Sequence, residues 1–321
     1  MKPFIRRIFA IATVALALPA TAQEFPTKPI RMIVPYAAGG PTDVRARLVA
    51  DKMGQFLGQP VIVEARPGGN TFIGTRVVAE APADGYTILI HSSSLTLGPL
   101  TFKNPGYTAD QFAVFAPVTI APFILSVGAS TPFRTVGELI AFAKANPGKL
   151  TNGSLGGAGQ SQLLTERFKD VAGGLQFIDV PYKGAAQAIQ AVMSGDITMY
   201  MDSLQTSVPA SRSGKTRLLA ITGERRVAEI PDVPTFRELG FNVVGGTWTA
   251  LFAPAKTPPS VLARLTREGV RATQADGVKE KLYDLGSEPW KGTVAEFAQY
   301  IKDDAAQWEK DLRRLKIPMQ D

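Results

Sequence analysis

Apolar positions follow two periods along this chain. Residues 30–35 (IRMIVP) form a β-rich run that ends in the loop 36–43. Val44, Leu48, Val49, Met53 and Phe56 then recur at helical spacing, and Gly58 supplies the stop. Further strands are predicted at 61–63 and 87–90. Between them a helix over 74–80 follows the turn at Arg66, Pro67, Gly68 and Gly69. Ser92, Ser93 and Ser94 lie at the end of the third strand. Residues 118–127 are apolar with Pro122 inside, which predicts a strand that bends or changes sheet. Thr135-x-x-Glu138 reads as a capping box opening a helix to Ala145. A short strand at 150–152 then meets a second glycine-rich loop, 153–159, and a helix over 161–171. Strands at 177–180, 197–201 and 218–222 and a helix at 185–193 follow. Residues 247–252 predict a strand, and Val261, Leu262, Leu265 and Val270 a helix. Thr293-x-x-Glu296 caps a long final helix with Phe297, Ile301, Trp308, Leu312 and Leu315 on one face.

Strands alternating with amphipathic helices predict an α/β fold with mostly parallel pairing. The order strand, glycine loop, helix occurs at 30–57 and again at 150–171. Two α/β halves, with the chain crossing between them near 120 and 247, account for this echo. The expected division is residues 23–121 plus 247–321 in one lobe and 122–246 in the other. The first 22 residues read as a secretory signal: Lys2, Arg6 and Arg7, an apolar run too short to span a bilayer, then Ala20-Thr21-Ala22. Cleavage is expected between Ala22 and Gln23, leaving a soluble periplasmic protein.

Composition narrows the chemistry. The 321 residues contain no cysteine and one histidine, His91. A disulfide framework, a thiolate metal site, a cysteine nucleophile and a multi-histidine zinc site are therefore excluded. Net charge is +7, and loss of Lys2, Arg6 and Arg7 with the signal lowers it to +4. That mild, dispersed charge suits small anions and lacks the basic stripe of a nucleic-acid binder. No cofactor and no metal are expected.

The two glycine loops carry the candidate chemistry. A glycine-rich turn from strand to helix leaves N–H groups unpaired at a helix N-terminus, where the helix dipole also favours an anion. Glycine permits positive φ and close approach to the backbone. Two such loops, one per half, can hold an anion across a cleft; alternatively each is a tight packing turn. Pro41 suits a first helical turn. Asp43 either caps that helix or orients a water or an ammonium group. Other motifs fail: Gln162 breaks a G-x-G-x-x-G at 157, Pro209 breaks a P-loop before Lys215, and no serine sits in a G-x-S-x-G. His91 and Ser92, adjacent on a strand, point to opposite faces, so His91 reads as a surface or hydrogen-bonded loop residue rather than a base.

With these loops in place, the chain resembles the periplasmic solute-binding proteins of tripartite tricarboxylate transporters, the Bug family. The resemblance runs from about Phe25 to the C-terminus. It rests on Pro29-Ile-Arg-Met-Ile-Val-Pro-Tyr-Ala-Ala-Gly-Gly40 with Thr42 and Asp43, then Gly58-Gln-Pro-Val61, Arg66-Pro-Gly68, Ala83-Asp-Gly-Tyr-Thr87 and Pro147-Gly-Lys-Leu150. Val180-Pro-Tyr-Lys-Gly184, Ile230-Pro-Asp-Val-Pro-Thr235 and Trp248 before Ala253-Pro254 complete it. The resemblance implies a two-lobed type II periplasmic-binding-protein fold, with two doubly wound sheets joined by crossover strands. It implies a non-enzymatic carrier, acting as a monomer, that closes on a small carboxylate and delivers it to one large and one small membrane subunit. It further implies ligand contacts at Tyr36, Ala38, Gly39, Gly40, Thr42, Asp43 and Ser92 in one lobe. In the other these are Ser154, Gly156, Gly157, Gln160, Tyr182, Lys183, Gly184 and Asp202. Tyr36 stands where the family usually has phenylalanine. Gly157-Ala-Gly159-Gln160 departs from the common Asn-Gly-Thr-Ser, and Ser203 replaces an asparagine. Asp202 reads equally as a helix N-cap, and Trp248 as core or hinge packing. Two other functions fit the same loops: a ligand-binding sensor signalling to a membrane kinase, and a hydrolase or isomerase.

Overall fold

The computed structural model describes residues 25–154, 159–182 and 184–321. The expected export segment and its cleavage site lie outside the described residues. The chain begins β1 (Ile30–Val34), α1 (Pro41–Leu57), β2 (Val61–Ala65), α2 (Phe72–Ala79), β3 (Thr87–Ser92) and α3 (Ser94–Thr101). The 17-residue strand β4 (Phe112–Gly128) leads to α4 (Val136–Ala145), β5 (Leu150–Ser154), α5 (Gln160–Val171), β6 (Phe177–Pro181) and α6 (Ala185–Ser194). Next come β7 (Met199–Ser203), α7 (Leu204–Arg212), β8 (Thr216–Ile221) and β9 (Gly246–Pro254). The chain ends with α8 (Pro259–Thr273), α9 (Asp276–Asp284), β10 (Glu288–Pro289) and α10 (Val294–Arg314).

These strands make one curled mixed sheet in the order β2-β1-β3-β9-β4-β7-β5-β6, with β10 and β8 also on β4. β1 runs parallel to β2 and β3, and β5 parallel to β6 and β7. β4 connects the two parallel groups through antiparallel pairing. Its first part pairs antiparallel with β9, from Phe112 opposite Pro254 to Pro122 opposite Gly246. From Phe123 onward it pairs with β7 and β8 instead. The switch falls at Pro122, which has no N–H to give a ladder. The next donor, Phe123 N–H, goes to Thr222 Oγ1 at 2.9 Å.

Local chemistry explains most helix limits. Pro41 occupies the first turn of α1, and Gly58 closes it at φ 72° with its N–H on Gly54 O. In α4 the Thr135 hydroxyl accepts Glu138 N–H, and in α10 the Thr293 hydroxyl accepts Glu296 N–H while Glu296 accepts Thr293 N–H, so both capping boxes form. Three helices escape the periodicity. α3 contains Gly98 and Pro99, and α7 contains Pro209. These residues disfavour helix, and tertiary burial overrides them. The third, α9, is a nine-residue helix that buries only Val278 and Leu282. Two apolar turns are a weak periodic signal.

Apolar packing is divided on the two sides of Pro122. Met32, Val49, Met53, Ile90, Phe115 and Leu251 form one buried group. Leu125, Leu139, Phe168, Met201 and Phe236 form another, into which α10 inserts Trp308 and Leu312. Farther up α10, Phe297 packs instead with Trp248 and Leu89. One helix thus runs from the second group to a third, built around Trp248. Polar contacts fix it: Arg167 of α5 pairs with Asp311, both nearly out of solvent, and Trp248 Nε1–H donates to Asp304 at 3.1 Å. Among the described residues no helix is long and apolar enough to cross a membrane.

The junction where β9 meets β4 leaves no room for a side chain. A Cβ on Gly246 would stand 2.4 Å from Ala121 O and 3.0 Å from Pro122 Cα. Gly246→Ala is expected to lower stability by about 1–3 kcal/mol in urea unfolding. Gly277→Ala in α9, where a Cβ meets nothing within 4 Å, is expected to be neutral or to gain up to about 1 kcal/mol.

Candidate functional site

β1 delivers the chain to the first glycine loop at the carboxyl edge of the sheet. Gly39 takes φ 78°, the left-handed region that glycine enters freely. Its N–H donates to Asp43 Oδ2 at 2.9 Å, and Gly40 N–H donates to Ala37 O at 3.2 Å. Asp43 is nearly wholly buried, and Arg47 donates to both its oxygens at 2.9 and 3.1 Å. The Arg47 hydrogen bond and then the Gly39 N–H hold this carboxyl below the usual aspartate range, against the opposing pull of burial. Asp43 therefore stitches the loop to the helix. The glycine N–H groups are spent within the turn. The N–H groups of Thr42 and Asp43, in the first turn of α1, have no acceptor among the described residues. Ala38 is exposed on the same loop.

Tyr36 joins this loop to the serine run. Ser92 Oγ donates to Ser94 Oγ at 3.3 Å, so the Tyr36 hydroxyl donates to Ser92 Oγ at 2.6 Å. Burial pushes the Tyr36 pKa up. His91 is wholly buried in β3, not on the surface or in a loop, because the strand continues through Ser92. Its Nδ1 lies 2.9 Å from Ser92 O, which only accepts, so Nδ1 carries the proton; Nε2 faces Thr75 Oγ1 at 3.0 Å. Burial lowers the His91 pKa to about 4, so the ring is neutral near pH 7. It hydrogen-bonds no hydroxyl of the serine run. Its link to the run is indirect, through the Tyr36 hydroxyl, which lies 3.2 Å from Nδ1 and 2.6 Å from Ser92 Oγ.

The second loop follows β5. Gly156, Gly157 and Lys183 lie outside the described residues. Ser154 is buried at the end of β5, and its carbonyl accepts Tyr182 N–H at 2.7 Å. Tyr182 is half-buried against the group formed by Ala188, Ile189 and Tyr200. Gly184 is the N-cap of α6, and its carbonyl accepts Gln187 and Ala188 N–H. Gln160 opens α5. Its Oε1 accepts from Ser93 Oγ at 2.6 Å, and its Nε2 donates to Gly246 O at 3.1 Å. Asp202 ends the buried part of β7, and Ser203, not Asp202, is the N-cap of α7. Burial pushes the Asp202 carboxyl up, opposed by the Thr206 hydroxyl that donates to it. Ser161 donates to the carbonyl of Met201, which seats the start of α5 beside Asp202. Trp248 is core: wholly buried, with its N–H on Asp304.

The segment 92–94 thus lies between the two loops, tied to the first by Tyr36 and to the second by Gln160. Ser93, Thr247 and Thr206 were missed from the sequence. The serine run was a visible signal for Ser93, but the partners of Ser93 and Thr247 are remote in sequence; Thr206 lies only four residues from Asp202, inside a helix the periodicity did not show. Among the described residues no cluster of three or more histidine or acidic side chains is placed to hold a metal.

Comparisons with known proteins find relatives in both sequence and structure. A family model described as the tripartite tricarboxylate transporter family receptor matches residues 45–317. A UPF0065 protein of Bordetella pertussis is 36% identical over 307 residues, covering 94% of this chain and 95% of that one. Among solved structures, R. palustris Rpa4515 with adipate is 29% identical with TM-score 0.78, covering 92% of this chain and 100% of that one. MatC from Rhodopseudomonas palustris with bound malate is 29% identical with TM-score 0.72, covering 90% and 100%.

The buried imidazole makes a pH prediction. An unfolded histidine titrates near 6.5, whereas His91 in the fold titrates near 4. The unfolded chain therefore binds the extra proton first, and stability present above pH 6.5 is lost as pH falls toward 4. His91→Gln removes this term. The stability of the parent relative to that variant is expected to drop by roughly 3 kcal/mol between pH 7.5 and 4 in urea unfolding.

Proposed function

The chain belongs to the tripartite tricarboxylate transporter receptor family, and on that premise we propose that it captures a small carboxylate between two lobes and delivers it to a large and a small membrane subunit of a tripartite secondary transporter. The lobes are residues 23–121 with 247–321, and residues 122–246. The protein works in the periplasm after cleavage between Ala22 and Gln23, as a monomer and without a cofactor.

One observation carries this reading: the 92–94 segment is clasped on one side by the loop that opens α1 and on the other by the residue that opens α5. Two helix N-termini thereby address one place. A carboxylate entering it has to exchange its hydration for about as many directed hydrogen bonds, because an unpaired buried charge costs several kcal/mol. The free N–H groups of Thr42 and Asp43 supply part of that set from the first lobe. We assign the remaining contacts to Ser92, Ser154, Gly156, Gly157, Tyr182, Lys183 and Gly184. Asp43, neutralised by Arg47, does not repel the anion strongly. Relatives that carry adipate and malate support an organic acid as cargo. A neutral His91 whose link to Ser92 Oγ runs through the Tyr36 hydroxyl rather than directly supports binding over hydrolysis.

The test is a thermal-shift panel of mono-, di- and tricarboxylates, acidic amino acids and aromatic acids on the mature protein. A true cargo at 100 times its Kd is expected to add about 2.7 kcal/mol of stability and to be recovered chemically unchanged. Gly39→Val, which forces a β-branched residue into the left-handed region, is expected to abolish that shift. Turnover of the cargo, or a response to neutral sugars only, would overturn the proposal.

A further inference from the structure

Two glutamines reach across from the second lobe at the first turns of their helices. Gln160 of α5 accepts from Ser93 Oγ of the first lobe at 2.6 Å and, within its own lobe, donates to Gly246 O at 3.1 Å at the crossing of β9. Ser93 Oγ spends its proton there, so the Thr247 hydroxyl donates to Ser93 at 3.2 Å and completes the bridge. Gln205 of α7 donates through Nε2 to the carbonyl of Leu285. The two bridges sit on opposite edges of the connecting strand, since Gly246 and Thr247 lie on β9 and Leu285 leads into β10. At the second bridge the backbone approach is close. Gly286 takes φ 63°, and a Cβ on it would stand 2.9 Å from Gln205 Cγ and 3.3 Å from Gln205 N. A groove of about 390 Å³ opens beside it between Pro122, Leu204 and Ser287.

We propose that Gln160 and Gln205 are positioning residues, paired amide clasps that hold the lobes bridged before cargo arrives; this rests on the two-lobed reading above. Every partner in both bridges is an atom of the chain itself, so no ligand is needed to form them. Both glutamine amide groups can be resolvated on opening, so the bridges are reversible. Contacts on both edges of β4 restrain rotation about it in two directions, which a single contact does not. Gln160 on this view sets lobe geometry and does not read the cargo. Net gains of this size shift an equilibrium about fivefold per hydrogen bond, enough to decide whether the empty protein stands bridged or open.

Small-angle X-ray scattering of the ligand-free mature chain tests this. The parent is expected to follow the profile of the bridged structure. Gln160→Ala combined with Gln205→Ala is expected to raise the radius of gyration while its circular-dichroism melting curve stays that of a folded protein. Ser93→Ala breaks the first bridge from the other lobe and is expected to move scattering in the same direction; it decides the matter if the double variant does not fold. An already expanded parent, or variants whose profiles superimpose on the parent, would overturn the proposal. No cargo enters the measurement, so an error in the carboxylate assignment leaves its outcome unchanged.

Discussion

A strand shared by two groups of strands must leave one ladder before it joins the other, and in this protein that constraint falls on Pro122. Upstream of it β4 is paired with β9, and downstream with β7 and β8. Proline cannot donate to either ladder, so the position of the switch is set by covalent structure rather than by packing. Everything near the candidate site is placed relative to this junction. Gly246 lies directly across from it, with no room for a Cβ, and its carbonyl receives Gln160.

Two buried carboxylates are matched by arginines. Asp43 is matched by Arg47, and Arg167 by Asp311 with the Val244 carbonyl as a further acceptor. His91 is neutral by burial. What remains for an anion at the first loop is the field of oriented N–H groups, which needs no mobile cationic side chain. The Asp43–Gly39 bond sharpens this. By accepting the glycine N–H, the carboxylate withdraws that donor from the proposed anion site and ties the turn to the helix whose first N–H groups follow.

Much of this was legible in the chain. Both strand–glycine loop–helix units stand where the alternation put them, at β1 to α1 and β5 to α5. The capping boxes at Thr135 and Thr293 formed because their bonds span only three residues. The bend at Pro122 also appeared, on a strand that starts earlier than its apolar run suggested. α3 and α7 were not legible, since Gly98, Pro99 and Pro209 argue against helix until neighbours bury them. Nor was the seat of His91, whose burial depends on α2 lying over β3 so that Thr75 meets its ring.

The sequence by itself determined what short-range physics can encode: strand and helix periods, proline and glycine stops, caps, the exclusion of thiol and multi-histidine chemistry, and two anion-prone turns. Only the tertiary structure decided that Gly39 gives its N–H to Asp43 and that Gln160 spends its amide on Ser93 and Gly246. It also decided that one C-terminal helix packs into both the Phe168 group and the Trp248 group. Those outcomes depend on which remote atoms arrive within hydrogen-bond reach, Ser93 and Gln160 being 67 residues apart. No local period or propensity carries that information.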